Sequence, residues 1–193
     1  VLPELHKCEA YMASSRIRID EEFLAAAPNL RVIGSPHTGQ DHLDLPGIKK
    51  RGIKLFTITD ERELLDGFTA TSELTFGLLL TLVRNIHPAI EAAKAGDWAT
   101  ERFAGFQLYQ KTFGIIGLGR LGTISARIAQ GFGMRVLAYD VEHREMDGVE
   151  IVDMDELLAQ SDVISLHFHL RPHTDGIINS NVFAKMKPGA IVL

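Results

Sequence analysis

Cysteine is nearly missing. A single residue, Cys8, occurs in 193, which excludes an intrachain disulfide framework and fits a reducing compartment. Charge of one sign is lacking too: 20 basic against 25 acidic residues leave a net charge of −5, with no lysine-arginine block. That balance gives no reason to expect nucleic acid or an anionic membrane as a partner. Long apolar runs are absent. The most apolar stretch, Leu74 to Val83, is broken by two threonines and a glycine and is about half the ~20 residues that a membrane span needs. It reads as a buried helix. No signal peptide is visible, although the first residue is Val1, and a cytoplasmic location is the default. What remains is ordinary for a globular chain, 46% hydrophobic and 23% charged, long enough for one or two domains with a substantial core.

The most informative stretch runs from Thr112 to Asp140, TFGIIGLGRLGTISARIAQGFGMRVLAYD. An apolar run leads into Gly117-Leu118-Gly119-Arg120-Leu121-Gly122. Leu121, Ile124, Ile128 and Phe132 then recur at helical spacing, and a second apolar run, Met134 to Tyr139, closes on Asp140. Glycines between a strand and a helix, with an acid about 20 residues on, form the fingerprint of a dinucleotide-binding βαβ unit. Gly117 allows the tight turn, Gly119 lets the backbone approach a pyrophosphate, and Gly122 lets the helix pack on the strand. The amides of Arg120 and its neighbours face the phosphates at the positive end of the helix dipole. Asp140 accepts from both hydroxyls of the adenosine ribose and repels a 2′-phosphate, which favours NAD over NADP. The Arg120 guanidinium could bind either cofactor's phosphates.

Two α/β segments are predicted. The first has strands at Ala10–Ala13, Leu30–Ser35 and Ile53–Thr57, with helices at Asp20–Ala27 and Leu45–Arg51, an alternation that implies a parallel sheet. A long helix is expected from Thr71 towards Ala95. Leu74, Leu78 and Leu82 lie along it at every fourth position, and Leu79, Val83, Ile86 and Ile90 widen the stripe, so it is expected to be buried between two domains. The second segment has strands at 112–117, 134–139, 162–166 and 190–193, and helices after Asp153 and after Asn179 or Ser180. Residues 141–148 read as a polar loop. A full dinucleotide domain has six strands; four are legible here, and the chain looks truncated after the fourth. The expected fold class is α/β: an incomplete Rossmann-type doubly wound parallel sheet in residues 71–193, and a partial substrate domain in residues 1–70.

The assembled residues resemble the D-isomer-specific 2-hydroxyacid dehydrogenases, especially the phosphoglycerate dehydrogenase-like branch. The likeness rests on Gly39-Gln40-Asp41-His42-Leu43-Asp44-Leu45, Thr71-Ser72-Glu73-Leu74-Thr75, the glycine loop from Gly114, Ser161 to His167, and Met186-Lys187-Pro188-Gly189-Ala190. The resemblance implies a flavodoxin-like substrate domain, NAD in the second segment, and a small 2-keto or 2-hydroxy acid between the two. It implies pyrophosphate contacts at Arg120 and Leu121, ribose contact at Asp140, cofactor contacts at His167, Phe168 and Thr174, and a substrate-carboxylate site at Thr38 and Gly39, with Ser15 nearby. A homodimer is implied as well. The family's catalytic arginine, glutamate and histidine are expected beyond Leu193, so no residue here takes those roles and the 193 residues alone are expected not to turn over substrate. Two stretches depart from the pattern. His169 and Arg171 stand where the family usually has proline and threonine, and Ser14-Ser15-Arg16 stands where phosphoglycerate-type members often have Arg-Ser.

Other residues are read more plainly. His167 and His169 point to opposite faces of a strand end, and with His173 they lack the neighbours of a zinc site, so no metal is expected. His37 and His42 read as turn and cleft-rim residues. Glu73 needs hydrogen-bond partners at the domain junction, and Trp98 and Phe103 to Phe106 read as packing residues. The leading expectation is an NAD-dependent oxidoreductase acting on a small D-2-hydroxy acid. The alternative is a non-catalytic, corepressor-like NAD-sensing module, which the same fold can host.

Overall fold

The computed structural model describes residues 4–142, 144–171 and 174–193; His143, Pro172 and His173, including the third histidine of the metal question, lie outside them. The chain divides into two compact units, Val1–Gly67 with His169–Asp175, and Phe68–Phe168 with Gly176–Leu193.

In the first unit, strands β1 (Ala10–Met12), β2 (Val32–Ser35) and β3 (Lys54–Thr57) form a parallel sheet in the order β1-β2-β3. Helices α1 (Glu21–Ala26) and α2 (Leu45–Lys50) connect them. Each helix starts where an aspartate can cap it: Asp20 accepts from the Phe23 amide at 3.0 Å and Asp44 from the Gly47 amide at 3.1 Å. Ile19, Phe23, Leu24, Ile33 and Ile48 share one buried core. A short helix, α3 (Arg62–Asp66), ends the unit.

The second unit opens with α4 (Ala70–Val83) and α5 (Ile86–Lys94). These replace the single helix expected from Thr71 to Ala95. Asn85 sits between them in the left-handed region at φ 51°, which a helix cannot pass through. The expected burial is also corrected. Phe76, Leu79 and Val83 are buried, whereas Leu74, Leu78 and Leu82 are 62%, 55% and 57% exposed. Glu73 is likewise exposed and accepts from the Thr69 hydroxyl one turn earlier. Trp98 and Phe106, read as packing residues, are exposed.

Strands β4 (Thr112–Ile116), β5 (Arg135–Tyr139), β6 (Val149–Ile151), β7 (Val163–Leu166) and β8 (Ile191–Val192) make a five-stranded parallel sheet in the order β6-β5-β4-β7-β8. β6 was not expected. It pairs with β5 through Val136 and Val149, and Arg135 fastens this edge by donating from Nε to Glu150 at 2.8 Å. Helix α6 (Arg120–Gly131) joins β4 to β5, α7 (Met154–Gln160) precedes β7, and α8 (Ser180–Lys185) precedes β8. Phe113 and Ile115 face a cluster with Phe76, Leu79 and Ala126; Ile116 and Ile164 face another with Leu157 and Leu158. The sheet is thus covered on both faces, with α4 and α6 on one side and α7 on the other. Asp162 ties β7 to the turn before β8, accepting from the Thr112 amide at 2.8 Å and from Lys187 Nζ at 2.9 Å. Burial raises the Asp162 carboxyl, but these two donors outweigh it and hold it below the usual carboxylate range.

Candidate functional site

Strand order decides where a ligand can sit. Counted within the second unit the order is 3-2-1-4-5: the chain runs outward from β4 through β5 to β6, then crosses back over β4 to place β7 and β8 on its other side. In open parallel sheets of this kind the ligand crevice lies at the carboxyl ends of the strands at that switch point. The loop Gly117–Gly119 leaves the end of β4, and His167 leaves the end of β7.

The three glycines divide the work. Gly117 turns at φ 98°, and a Cβ there would stand 2.7 Å from the His167 carbonyl oxygen. At Gly122 a Cβ would stand 2.2 Å from the Gly117 carbonyl oxygen, so α6 approaches the loop at a distance that no side chain permits. Gly119 differs. It is the N-cap of α6 with φ −77° and ψ −159°, which any residue can adopt, and a Cβ there would meet nothing within 4 Å. The protein itself does not require this glycine, so what it leaves is open approach to the backbone from outside. Among the described residues no side chain caps α6, as for α3, α4 and α5, whereas α1, α2, α7 and α8 have Asp or Asn caps.

Asp140 stands directly beside this loop. Its Oδ2 accepts from the Leu118 amide at 2.7 Å and its Oδ1 from the Glu142 amide at 2.8 Å, while the Gly117 amide donates to the Tyr139 carbonyl at 2.8 Å. The carboxylate therefore holds the turn in place, and each oxygen keeps a second lone pair for a hydroxyl. The tethered Leu118 amide carried no recognisable sequence signal, because any residue supplies an N–H. Arg120 donates from Nη1 to the Phe68 carbonyl at 2.8 Å, so its guanidinium is engaged on α4's entry. Leu121 accepts from Ser72 Oγ at 3.2 Å through its carbonyl, which fastens α4 to α6.

His167 continues β7, donating its amide to the Ile116 carbonyl at 2.8 Å. Its Nε2 lies 2.9 Å from the buried Ser165 hydroxyl. Burial pushes the imidazole down to about 4, from an ordinary 6.5, so the ring is neutral at physiological pH. Phe168 packs against the Ile116–Leu158 cluster. Thr174 falls in the first unit, and its hydroxyl accepts from the Arg171 amide and donates to the His169 carbonyl, both at 2.8 Å.

In the first unit, Thr38 and Gly39 follow β2 and are half-buried. Among the described residues nothing takes their two backbone N–H groups, which leaves both able to donate to an anion. Ser15 follows β1, but its amide donates to His37 Nε2 at 3.2 Å, which leaves only its hydroxyl to offer. Among the described residues, no group of three or more His, Cys, Asp or Glu could hold a metal ion, and no helix is long and apolar enough to cross a membrane. A hollow lined by Arg84, Phe106, Gln107, Tyr109, Gln110 and Lys111 lies at the other end of β4, away from the glycine loop.

A parallel doubly wound sheet, a bare-backbone turn at its switch point and a carboxylate tethered to that turn define a dinucleotide-binding protein of the Rossmann class. Comparison with known proteins narrows this. Residues 76–193 match the model of the D-isomer specific 2-hydroxyacid dehydrogenase NAD binding domain, and residues 1–63 match that family's catalytic domain. The chain belongs to the D-isomer specific 2-hydroxyacid dehydrogenase family. Among curated relatives, the D-3-phosphoglycerate dehydrogenase of Archaeoglobus fulgidus is 37% identical over 197 residues, covering 100% of this chain and 36% of the relative. The chain thus spans about a third of the length of such relatives. Among solved structures, D-lactate dehydrogenase from Aquifex aeolicus with NAD and lactic acid has a TM-score of 0.82 and 32% identity, covering 98% of this chain and 56% of the other. The NAD-dependent formate dehydrogenase of Staphylococcus aureus with NAD has a TM-score of 0.85 and 25% identity, covering 98% and 57%.

Proposed function

We propose that this chain serves an NAD-dependent oxidoreductase that interconverts a small D-2-hydroxy acid and its 2-keto acid, of the phosphoglycerate or hydroxypyruvate kind. The supporting observation is the Asp140 carboxylate anchored 2.7 Å from the Leu118 amide, beside a Gly119 backbone that is open to approach. Gly117, Gly119, Arg120, Leu121 and Gly122 would hold the pyrophosphate, Asp140 the adenosine ribose, and His167 and Phe168 the flank next to β7. The neutral His167 adds no cation there, and Asp140 adds an anion, a combination that disfavours a 2′-phosphate. When bound, the nicotinamide supplies or accepts the hydride at C4, the other terminus being C2 of the acid. The Thr38 and Gly39 amides, unpaired among the described residues, would take the acid's carboxylate, with the Ser15 hydroxyl beside them. Thr174, whose hydroxyl donates to the His169 carbonyl at 2.8 Å, would lie near the cofactor. No histidine of this chain is assigned the role of proton donor to the keto oxygen.

Calorimetric titration tests the cofactor half. NAD is expected to bind at least about 10-fold more tightly than NADP, and Asp140→Ala is expected to weaken NAD by about 10- to 100-fold, the loss of one to two charge-assisted hydrogen bonds. Equal affinity for both dinucleotides in the native protein would contradict the assignment. In the enzyme that carries this chain, the acid is identified by which of 3-phosphohydroxypyruvate, hydroxypyruvate, glyoxylate and pyruvate oxidises NADH with the highest kcat/KM.

A homodimer is part of the same proposal. Leu74, Leu78 and Leu82 of α4 and Ile86 and Ile90 of α5 are exposed apolar residues of the kind that marks association, and a second copy of the chain would cover them.

A further inference from the structure

Two loops of the first unit leave the carboxyl ends of adjacent strands: Ala13 to Ile19 after β1, and Pro36 to Leu43 after β2. Backbone hydrogen bonds join their far ends, the Ile19 amide to the His42 carbonyl and the Asp44 amide to the Ile19 carbonyl, both at 2.8 Å. Nearer the strands one side chain takes over. The Ser15 amide donates to His37 Nε2 at 3.2 Å, and the His37 ring meets the His42 ring edge to face, centroids 5.7 Å apart at 82°.

The chemistry of that contact is specific. An amide can donate only to a nitrogen carrying a lone pair, so the His37 proton must sit on Nδ1 and the ring must be neutral. His42, which braces the ring, is 5% exposed, and among the described residues its Nε2 has no hydrogen-bond partner. A buried unpaired nitrogen costs about 1–3 kcal/mol, a cost that an apolar ring in the same place would avoid, so packing alone does not account for an imidazole at 42. The next residues after His37 are Thr38 and Gly39, whose amides are unpaired among the described residues.

We infer that His37 is a positioning residue for the substrate. By accepting from Ser15 and leaning on His42, it locks the β1 loop to the β2 loop, so that the Ser15 hydroxyl and the Thr38 and Gly39 amides face a 2-keto carboxylate in one fixed arrangement. This rests on the proposed role of Thr38 and Gly39 and assigns it a mechanical basis. His37 itself donates nothing to the acid and takes no part in proton transfer.

The test pairs kinetics with a spectrum. In the enzyme that carries this chain, hydroxypyruvate and glyoxylate reduction by NADH is measured for the native protein, His37→Phe and His37→Gln. Phenylalanine keeps the ring contact and removes the acceptor, whereas glutamine offers an acceptor oxygen. His37→Phe is expected to raise KM for the keto acid about 3- to 10-fold, the worth of one hydrogen bond, with kcat and KM for NADH unchanged, and His37→Gln is expected to recover part of it. An unchanged keto-acid KM in His37→Phe, or equal rises in both KM values, overturns the inference; so does a glutamine variant no better than phenylalanine. The bond is read independently in long-range ¹H–¹⁵N spectra of the native protein, where His37 Nε2 should be the unprotonated nitrogen; a protonated Nε2 overturns the inference even if the His37→Phe variant fails to fold. A native enzyme inert with 3-phosphohydroxypyruvate, hydroxypyruvate, glyoxylate and pyruvate alike, alongside the expected tautomer, would instead sink the functional reading.

Discussion

A methyl group at position 122 would land 2.2 Å from the Gly117 carbonyl oxygen, whereas at 119 it would meet nothing. The two glycines therefore separate folding from binding. Gly122→Ala is expected to destabilise the second unit by about 1–3 kcal/mol, as overpacking against backbone does, and to weaken NAD as the loop shifts. Gly119→Ala is expected to leave the urea midpoint nearly unchanged while NAD affinity falls by about 10-fold or more, because the methyl fills space that the pyrophosphate needs. Urea melts and NAD titrations of both variants check this; a Gly119→Ala protein that binds NAD normally would remove the pyrophosphate from the loop. Spacing in the sequence could assign a job to each glycine. It could not show that only two of the three are required by the protein's own atoms.

At the scale of elements, α4 was the hardest to read. Its sequence is apolar nearly all round, so periodicity could not choose which side faces the sheet, and the regular Leu74-Leu78-Leu82 row pointed to the wrong one. The buried side is Ser72, Phe76, Leu79 and Val83, where the Phe76 ring stacks 5.2 Å from Phe113. Phe76→Ala is accordingly expected to cost about 3–5 kcal/mol of stability, while Leu78→Ala should change it by less than about 0.5 kcal/mol in the single chain. Leu78→Asp should convert a dimer to a monomer by light scattering; an unaltered mass would take Leu78 out of the association surface. β6 escaped notice for another reason. Three residues, two of them exposed, carry too little alternation to stand out from the polar loop before them, and the strand is held from outside by Arg135. The helix starts at Asp20, Asp153 and Asn179, by contrast, were legible, since each cap satisfies amides within its own turn; the Asp44 cap was not read, because that helix was begun at Leu45.

Taken as a whole molecule, the architecture was readable wherever local pattern and tertiary packing agree: alternating strands and helices, and a glycine turn between the strand and helix that open the NAD binding domain. The environment of individual side chains was not. His167 read only as a cofactor neighbour, yet its burial makes the stability of the fold depend on pH. Its native value of about 4 lies below the ordinary 6.5, so between those values the unfolded chain binds the extra proton. Stability from this group is full above pH 6.5 and is lost as pH falls towards 4, by at most roughly 3 kcal/mol at ~1.4 kcal/mol per unit. Urea midpoints from pH 7 to 4 should decline more steeply for the native chain than for His167→Asn; parallel declines would mean that the ring is not the sensor. A last consequence concerns which pool of reducing equivalents the molecule can be made to draw on. Because the Asp140 carboxylate also moors the Leu118 amide, exchanging it for a small neutral residue to admit a 2′-phosphate would cast the turn adrift. Re-engineering towards NADP thus calls for a residue at 140 that still accepts a hydrogen bond, with the new cation placed elsewhere.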